Sequence, residues 1–92
     1  MTRMEHMLIR MDNTTIARTV SETIAEMLAE AGISHRRAAE AAGIPQATMH
    51  RRMNGHSPLT IAELDALAQV AGTTAADVVS RAEQRAPGRN AS

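Results

Sequence analysis

The apolar positions of the chain recur with a helical period. Ile16, Val20, Ile24, Met27, Leu28 and Ala31 lie three or four residues apart, which on a helix makes one continuous face. Arg18, Glu22, Glu26 and Glu30 fall on other faces. Asn13 or Thr14 is the expected N-cap, because a short side-chain oxygen can accept the free amides of a first turn. Gly32 supplies the left-handed residue that stops this helix. A second, short helix is expected from His35 to Ala42, capped by Ser34 and ended by Gly43. Its inner face is Ala38, Ala39 and Ala42, side chains small enough to let another helix approach closely. A third helix is expected from Gln46 to Met53. Pro45 opens it without an amide to satisfy, Met49 and Met53 face inward one turn apart, and Asn54-Gly55 stops it.

A loop through His56, Ser57, Pro58 and Leu59 leads to Thr60, which with Glu63 spells a capping box. The fourth helix is expected to bury Ile61, Leu64, Leu67, Ala68 and Ala71 on one face and to end at Gly72. Thr74 with Asp77 repeats the box. The fifth helix holds Val78, Val79 and Ala82 and is expected to fray after Glu83. Residues 1–12 carry Met4, Met7, Leu8 and Met11 at helical spacing. A frayed tail, an arm packed on the domain or on a partner subunit, and a short strand all fit them. No stretch alternates with period two well enough to argue for a sheet. The expected fold class is therefore all-α: a compact five-helix domain over 13–84, an N-terminal arm (extra helix or strand) over 1–12, and a disordered tail over 85–92.

Composition narrows the chemistry. With 92 residues, 43% hydrophobic and 22% charged, the chain has the make-up of one small soluble domain. The absence of Cys excludes disulfides, Cys-ligated zinc, iron–sulfur clusters and thiol nucleophiles. The absence of Phe, Trp and Tyr argues against base-stacking platforms and aromatic cages. The four His show no metal-ligand spacing, no glycine-rich phosphate loop follows a strand, and no acid orients a Ser–His pair. No catalytic residue, metal or cofactor is assigned, and an enzyme is not expected. Apolar runs are too short to span a bilayer. Glu5, His6 and Asp12 interrupt any signal-peptide core, so the expected location is the cytoplasm.

Net charge is zero, but it is unevenly laid out. Residues 1–34 carry three Arg against five acids. Residues 35–58 carry four Arg (Arg36, Arg37, Arg51, Arg52) against Glu40 alone, together with His35, His50 and His56. A polyanion docks on local charge, and this middle segment is where it would find it.

The same segment holds a helix–turn–helix pattern. Such a unit needs a small residue where the second helix crosses the first, a Gly at the turn for positive φ, and an apolar plug just after. Ala39, Gly43 and Ile44 meet all three. From Gly32 to Val79 (GISHRRAAEAAGIPQATMHRRMNGHSPLTIAELDALAQVAGTTAADVV) the chain resembles the lambda-repressor-like, or Cro/Xre, family, with compact phage Cro and immunity repressors as the nearest kind. Two positions depart from the pattern. Ala38 stands where a large aliphatic residue is common. Arg52 stands where an aliphatic residue is common, so Met53 is expected to take the buried role while Arg52 turns outward.

The resemblance implies a sequence-specific regulator of transcription, a repressor that occupies a pseudo-palindromic operator in double-stranded DNA as a homodimer, with no membrane and no small-molecule ligand. It places Gln46, Ala47, His50 and Arg51 at base edges. Gln suits adenine, Arg suits guanine, and the Ala methyl suits a thymine methyl. It places His35, Arg36, Arg37, Thr48, Arg52, Asn54 and His56 along the DNA backbone. Arg36 or Arg37 could instead pair with Glu40. Leu59, Val70, Val78 and Val79 are candidates for the dimer surface. An antitoxin that also represses its own operon is the alternative function.

Overall fold

The computed structural model describes the backbone of residues 2–85 and the side chains of residues 16–85. Five helices follow one another: α1 (Thr2–Glu30), α2 (His35–Ala42), α3 (Gln46–Met53), α4 (Ile61–Val70) and α5 (Ala75–Arg85). No strand occurs among the described residues.

The first helix departs from expectation. It does not begin at Asn13 or Thr14 but runs unbroken from Thr2 through both. A cap residue inside a helix costs only a few tenths of a kcal/mol relative to better helix formers, and neither Gly nor Pro interrupts the segment. The backbone of the arm is thus helical, not a strand. The packing of Met4, Met7, Leu8 and Met11 lies outside the described side chains, and the tail expected over 85–92 lies outside the described residues beyond Arg85. At 1.5 Å per residue α1 is about 43 Å long, which accounts for most of the 47 Å long axis of the molecule.

The core is small and mostly aliphatic. Ile24 and Leu28 from α1, Met49 from α3, Leu67 from α4 and Val78 from α5 are its largest fully buried apolar side chains. Ala38, Ala39, Ala68 and Ala82 are completely covered as well. Helix α1 lies along α5, while α2 rests on both α3 and α4. Burial of Val78 removes it from the candidate dimer surface. Leu59, Val70 and Val79 are partly buried against the core.

Ile61 was expected inside and is 80% exposed. It is the first residue of α4, on a turn that overhangs the core, and Leu59 before the cap is partly buried instead. Leu59 and Leu64 occupy the two positions that form a hydrophobic staple across a helix start. The capping box itself is complete: Glu63 N donates to Thr60 Oγ1 at 3.1 Å, and Thr60 N donates to Glu63 Oε1 at 3.0 Å. Its repeat at α5 is half formed. Asp77 N donates to Thr74 Oγ1, but the Asp77 carboxylate accepts from Thr73 Oγ1 instead.

Helix α5 also runs past Glu83, to Arg85. The Arg85 guanidinium donates to both Glu26 oxygens at 3.0 Å and to Thr23 Oγ1 at 3.3 Å, tying the end of α5 to the middle of α1. Thr19, Ser21 and Thr23 all lie on the buried side of α1, where an apolar stripe alone was expected, and Ala31 is exposed. Thr23 donates to the Thr19 carbonyl at 2.7 Å, so its hydroxyl is satisfied inside the protein.

Candidate nucleic-acid interface

The turn between α2 and α3 is closed by backbone geometry. Gly43 sits at φ +74°, a conformation costly for any residue with a Cβ. That turn lets Ile44 N donate to the Ala39 carbonyl at 2.9 Å and carries the Ile44 side chain into the core, where it is 7% exposed. Ala38 and Ala39 present no bulk. The slant of α3 against α2 is therefore set by close backbone approach.

Helix α3 is held on one side only. Met49 is 2% exposed and anchors its middle, and Met53 is partly buried one turn later. Gln46, Ala47, His50 and Arg51 are exposed, and Thr48 is half-buried at the margin. Gln46 Nε2 donates to the carbonyl of Arg36 at 3.1 Å. This bond fixes the amide against α2 and leaves its Oε1 and the second Nε2 hydrogen for another partner. Asn54 Nδ2 lies 2.9 Å from His50 Nε2, so two side chains one turn apart orient each other. His35, Gln46, Ala47, His50 and Asn54 border one shallow concavity, which brings the start of α2 beside the exposed strip of α3.

The start of α2 is electrostatically unusual. Ser34 caps it by accepting from Arg37 N at 3.2 Å. His35, Arg36 and Arg37 fill its exposed first turn, with no acidic residue there. Positive charge at a helix N-terminus opposes the helix dipole, by roughly 0.3–1 kcal/mol per charge. An anion docked there would convert the same arrangement into a favourable one. Arg36 spans 3.8 Å to Glu40, with both side chains largely in water, so this pair contributes little. Arg37 makes no ion pair among the described residues.

Arg52 differs from expectation. It does not turn outward. Its Nε and Nη2 donate to the two Glu63 oxygens at 2.7 and 3.2 Å, and Nη1 donates to Ser57 Oγ. The two side chains are 17% and 19% exposed. A planar guanidinium matches a carboxylate in this two-point way. Glu63 is already oriented by the α4 cap, so it offers Arg52 a fixed acceptor. Arg52 thus braces the loop from Asn54 to Thr60, and its guanidinium is not free for a DNA backbone. The bonded Arg52 holds the Glu63 carboxyl below its ordinary range, aided by the Thr60 backbone amide. Glu63 in turn raises Arg52, against a smaller opposing effect of burial.

A carboxylate depressed by folding contributes stability that is present above its unfolded value, near the ordinary 4.5, and is lost as pH falls through the folded value. Thermal melts of the native chain are expected to fall below about pH 4.5, and Glu63→Gln is expected to flatten part of that acid limb. Equal acid limbs in the two proteins would remove the assignment.

One neighbour was not legible in the sequence. Arg18 of α1 reaches the loop after α3, its Nε lying 3.9 Å from where a Cβ on Gly55 would stand. It borders, with Ser21, a cleft closed by Gly55, His56, Ser57 and Pro58. His56 is exposed on that loop. A separation of more than thirty residues hides such a pairing from periodicity.

Among the described residues, no group of three or more His, Asp or Glu could hold a metal ion, and no helix is long and apolar enough to cross a membrane. A protein-family model described as a helix-turn-helix domain matches residues 20–81, from the second half of α1 into α5. No curated protein and no solved structure matches the chain.

Proposed function

The chain belongs to the helix-turn-helix domain family, and from that premise we propose that it is a sequence-specific regulator of transcription that inserts α3 into the major groove of double-stranded DNA. The observation that carries this reading is the one-sided mounting of α3. Met49 is locked in the core while Gln46, Ala47, His50 and Arg51 stand together on the exposed side. A recognition helix reads base edges from its N-terminal residues, and here Gln46 is held at that end by Arg36. His35, Arg36, Arg37, Thr48, Asn54 and His56 flank the strip and are the proposed phosphate contacts. These position the protein without reading sequence.

The proposed activity is occupancy without chemistry: a cytoplasmic repressor of the Cro or phage immunity kind, covering an operator as a homodimer. Few excess positive charges surround α3, so one copy has little electrostatic grip, and a second copy on the neighbouring half-site doubles the contacts. Ile61, exposed on α4, joins Leu59, Val70 and Val79 as candidates for the surface between copies.

The test is selection of bound duplexes from a random library at fixed salt. The expected result is a consensus of two inverted half-sites about 10 base pairs apart, centre to centre. Enrichment of no sequence, with binding that depends on salt alone, would overturn the reading.

A further inference from the structure

The end of α3 holds a hydrogen bond whose direction is fixed by the atoms that make it. Asn54 Nδ2 lies 2.9 Å from His50 Nε2. An amide nitrogen carries two hydrogens and accepts none, so the ring nitrogen facing it is the acceptor. A neutral imidazole has one hydrogen, and with Nε2 accepting, that hydrogen sits on Nδ1. The surroundings agree with this tautomer. His35, Gln46, Met49 and Met53 border the concavity beside the pair, and no carboxylate does, so no anion there draws the hydrogen to Nε2. Among the described residues the ring makes no other hydrogen bond. Asn54 is itself held in place. Its backbone N donates to the His50 carbonyl at 3.0 Å, and the turn after it is closed by His56 N donating to the Arg51 carbonyl at 3.0 Å. Arg52, bonded to Glu63 and Ser57, pins the loop beyond.

We propose that Asn54 sets the tautomer of His50, so that the ring enters the major groove as a donor through Nδ1 and selects guanine at one position of the operator. This rests on the DNA-binding reading above and names a preference within it. The guanine edge offers two acceptors, N7 and O6, and no donor, whereas the cytosine edge offers only the N4 donor. A ring that can only donate therefore pairs with the first and rejects the second. Without Asn54 the exposed ring is free to present either nitrogen as donor and the other as acceptor, and it distinguishes the two bases poorly. Asn54 is a positioning residue here. It touches the ring and not the base, and its second Nδ2 hydrogen remains for a phosphate.

The experiment compares the full native chain with Asn54→Ala, Asn54→Asp, His50→Ala and the double variant His50→Ala with Asn54→Ala. Spectra and selections are run at about pH 8, above the ordinary range of histidine, so that imidazoles are neutral. The backbone of Asn54, at φ −88°, admits either replacement, and thermal melts confirm folding. Long-range proton–nitrogen NMR of the free chain reads the tautomer. Nδ1 is expected to carry the His50 hydrogen in the native chain. In Asn54→Asp the carboxylate can only accept, so the hydrogen is expected on Nε2. A native ring protonated at Nε2 would overturn the proposal.

Selection of bound duplexes from a random library reads the consequence. One guanine of the native consensus is expected to disappear in His50→Ala. Asn54→Ala should lower the preference for that guanine over cytosine by about ten-fold, and Asn54→Asp should turn it toward cytosine or adenine, whose exocyclic amines donate. With His50 already replaced, Asn54→Ala should change preference at no position, which separates action through the ring from direct reading of a base by Asn54. An Asn54→Ala chain that binds all duplexes more weakly yet keeps the guanine would make Asn54 a phosphate contact only, overturning the proposal while the DNA-binding reading stands. So would a consensus unchanged by His50→Ala. A native chain that selects no consensus, whatever its tautomer, would overturn both.

Discussion

Replacing Gln46 and Arg51 together with Ala is expected to erase most of the protein's preference for its selected duplex while leaving a folded chain that still binds DNA. The two side chains are exposed on α3 and are not part of the hydrophobic core. Each can form a two-point pair with a purine edge, worth about 1–3 kcal/mol of discrimination against a wrong base. Contributions at separated positions add roughly, so the ratio of selected to random affinity should fall by about 100-fold or more. The two losses differ in kind. Arg51→Ala also removes a positive charge, and should weaken binding to both duplexes. Gln46→Ala removes no charge, but it breaks the bond to the Arg36 carbonyl. That bond is worth about 1 kcal/mol of helix–helix support, and a small drop in melting temperature should accompany the loss of preference. Competition binding with both duplexes, alongside a thermal melt, separates these effects. A folded double variant that keeps its preference would show that α3 reads no bases through these residues.

What the sequence disclosed and what it hid divide along the range of the interactions involved. The bounds of α2 and α3 were legible to the residue because each end carries a local stop or start: Ser34, Gly43, Pro45 and Asn54-Gly55 act within one turn of themselves. Most of the exposed strip followed from the same bounds, since fixing Met49 inward turns Arg51 to the far side and His50 to the flank, while Gln46 is exposed as the first residue of the helix. The N-terminal reach of α1 was not legible, because a helix continues wherever nothing stops it, and acceptable cap residues at 13 and 14 are not breakers. Ile61 has the right period but sits in a first turn beyond the edge of the core, and period says nothing of how far a core extends. The role of Arg52 depends on a carboxylate eleven residues away, and the end of α5 on one 59 residues away. Arg18 beside Gly55 is a third such pairing. All three are arginines whose partners only the packing of helices brings near, and two of them border the candidate site. The charge layout of the sequence singled out 35–58 as the basic segment but could not say which of its arginines were already engaged.

Leu67→Ala is expected to cost most of the protein's stability, and the way it is rescued bears on function. Leu67 is fully buried on α4, the helix against which α2 packs, in the same core as Ala38 and Ala39 of α2. The alanines of α2 cannot collapse into a vacated space without carrying the backbone with them, so the cavity should persist. Removing a buried leucine in that setting costs about 2–5 kcal/mol, against about 3–5 kcal/mol that a core of this size supplies in total. Urea unfolding should therefore find a large unfolded fraction even without denaturant. Leu67→Met, which keeps the volume, should cost less than about 1.5 kcal/mol. Because only the folded chain presents α3, a duplex carrying the selected consensus should pull the equilibrium back. At one hundred times its dissociation constant it adds about 2.7 kcal/mol, enough to restore most of the helical signal, whereas random duplex at equal concentration restores little. Refolding by the consensus duplex alone would join the packing of α2 on α4 to the reading of sequence by α3. A Leu67→Ala protein that melts like the native one would mean that the helix pair does not lean on α4, and the fixed slant of α3 would lose its physical basis.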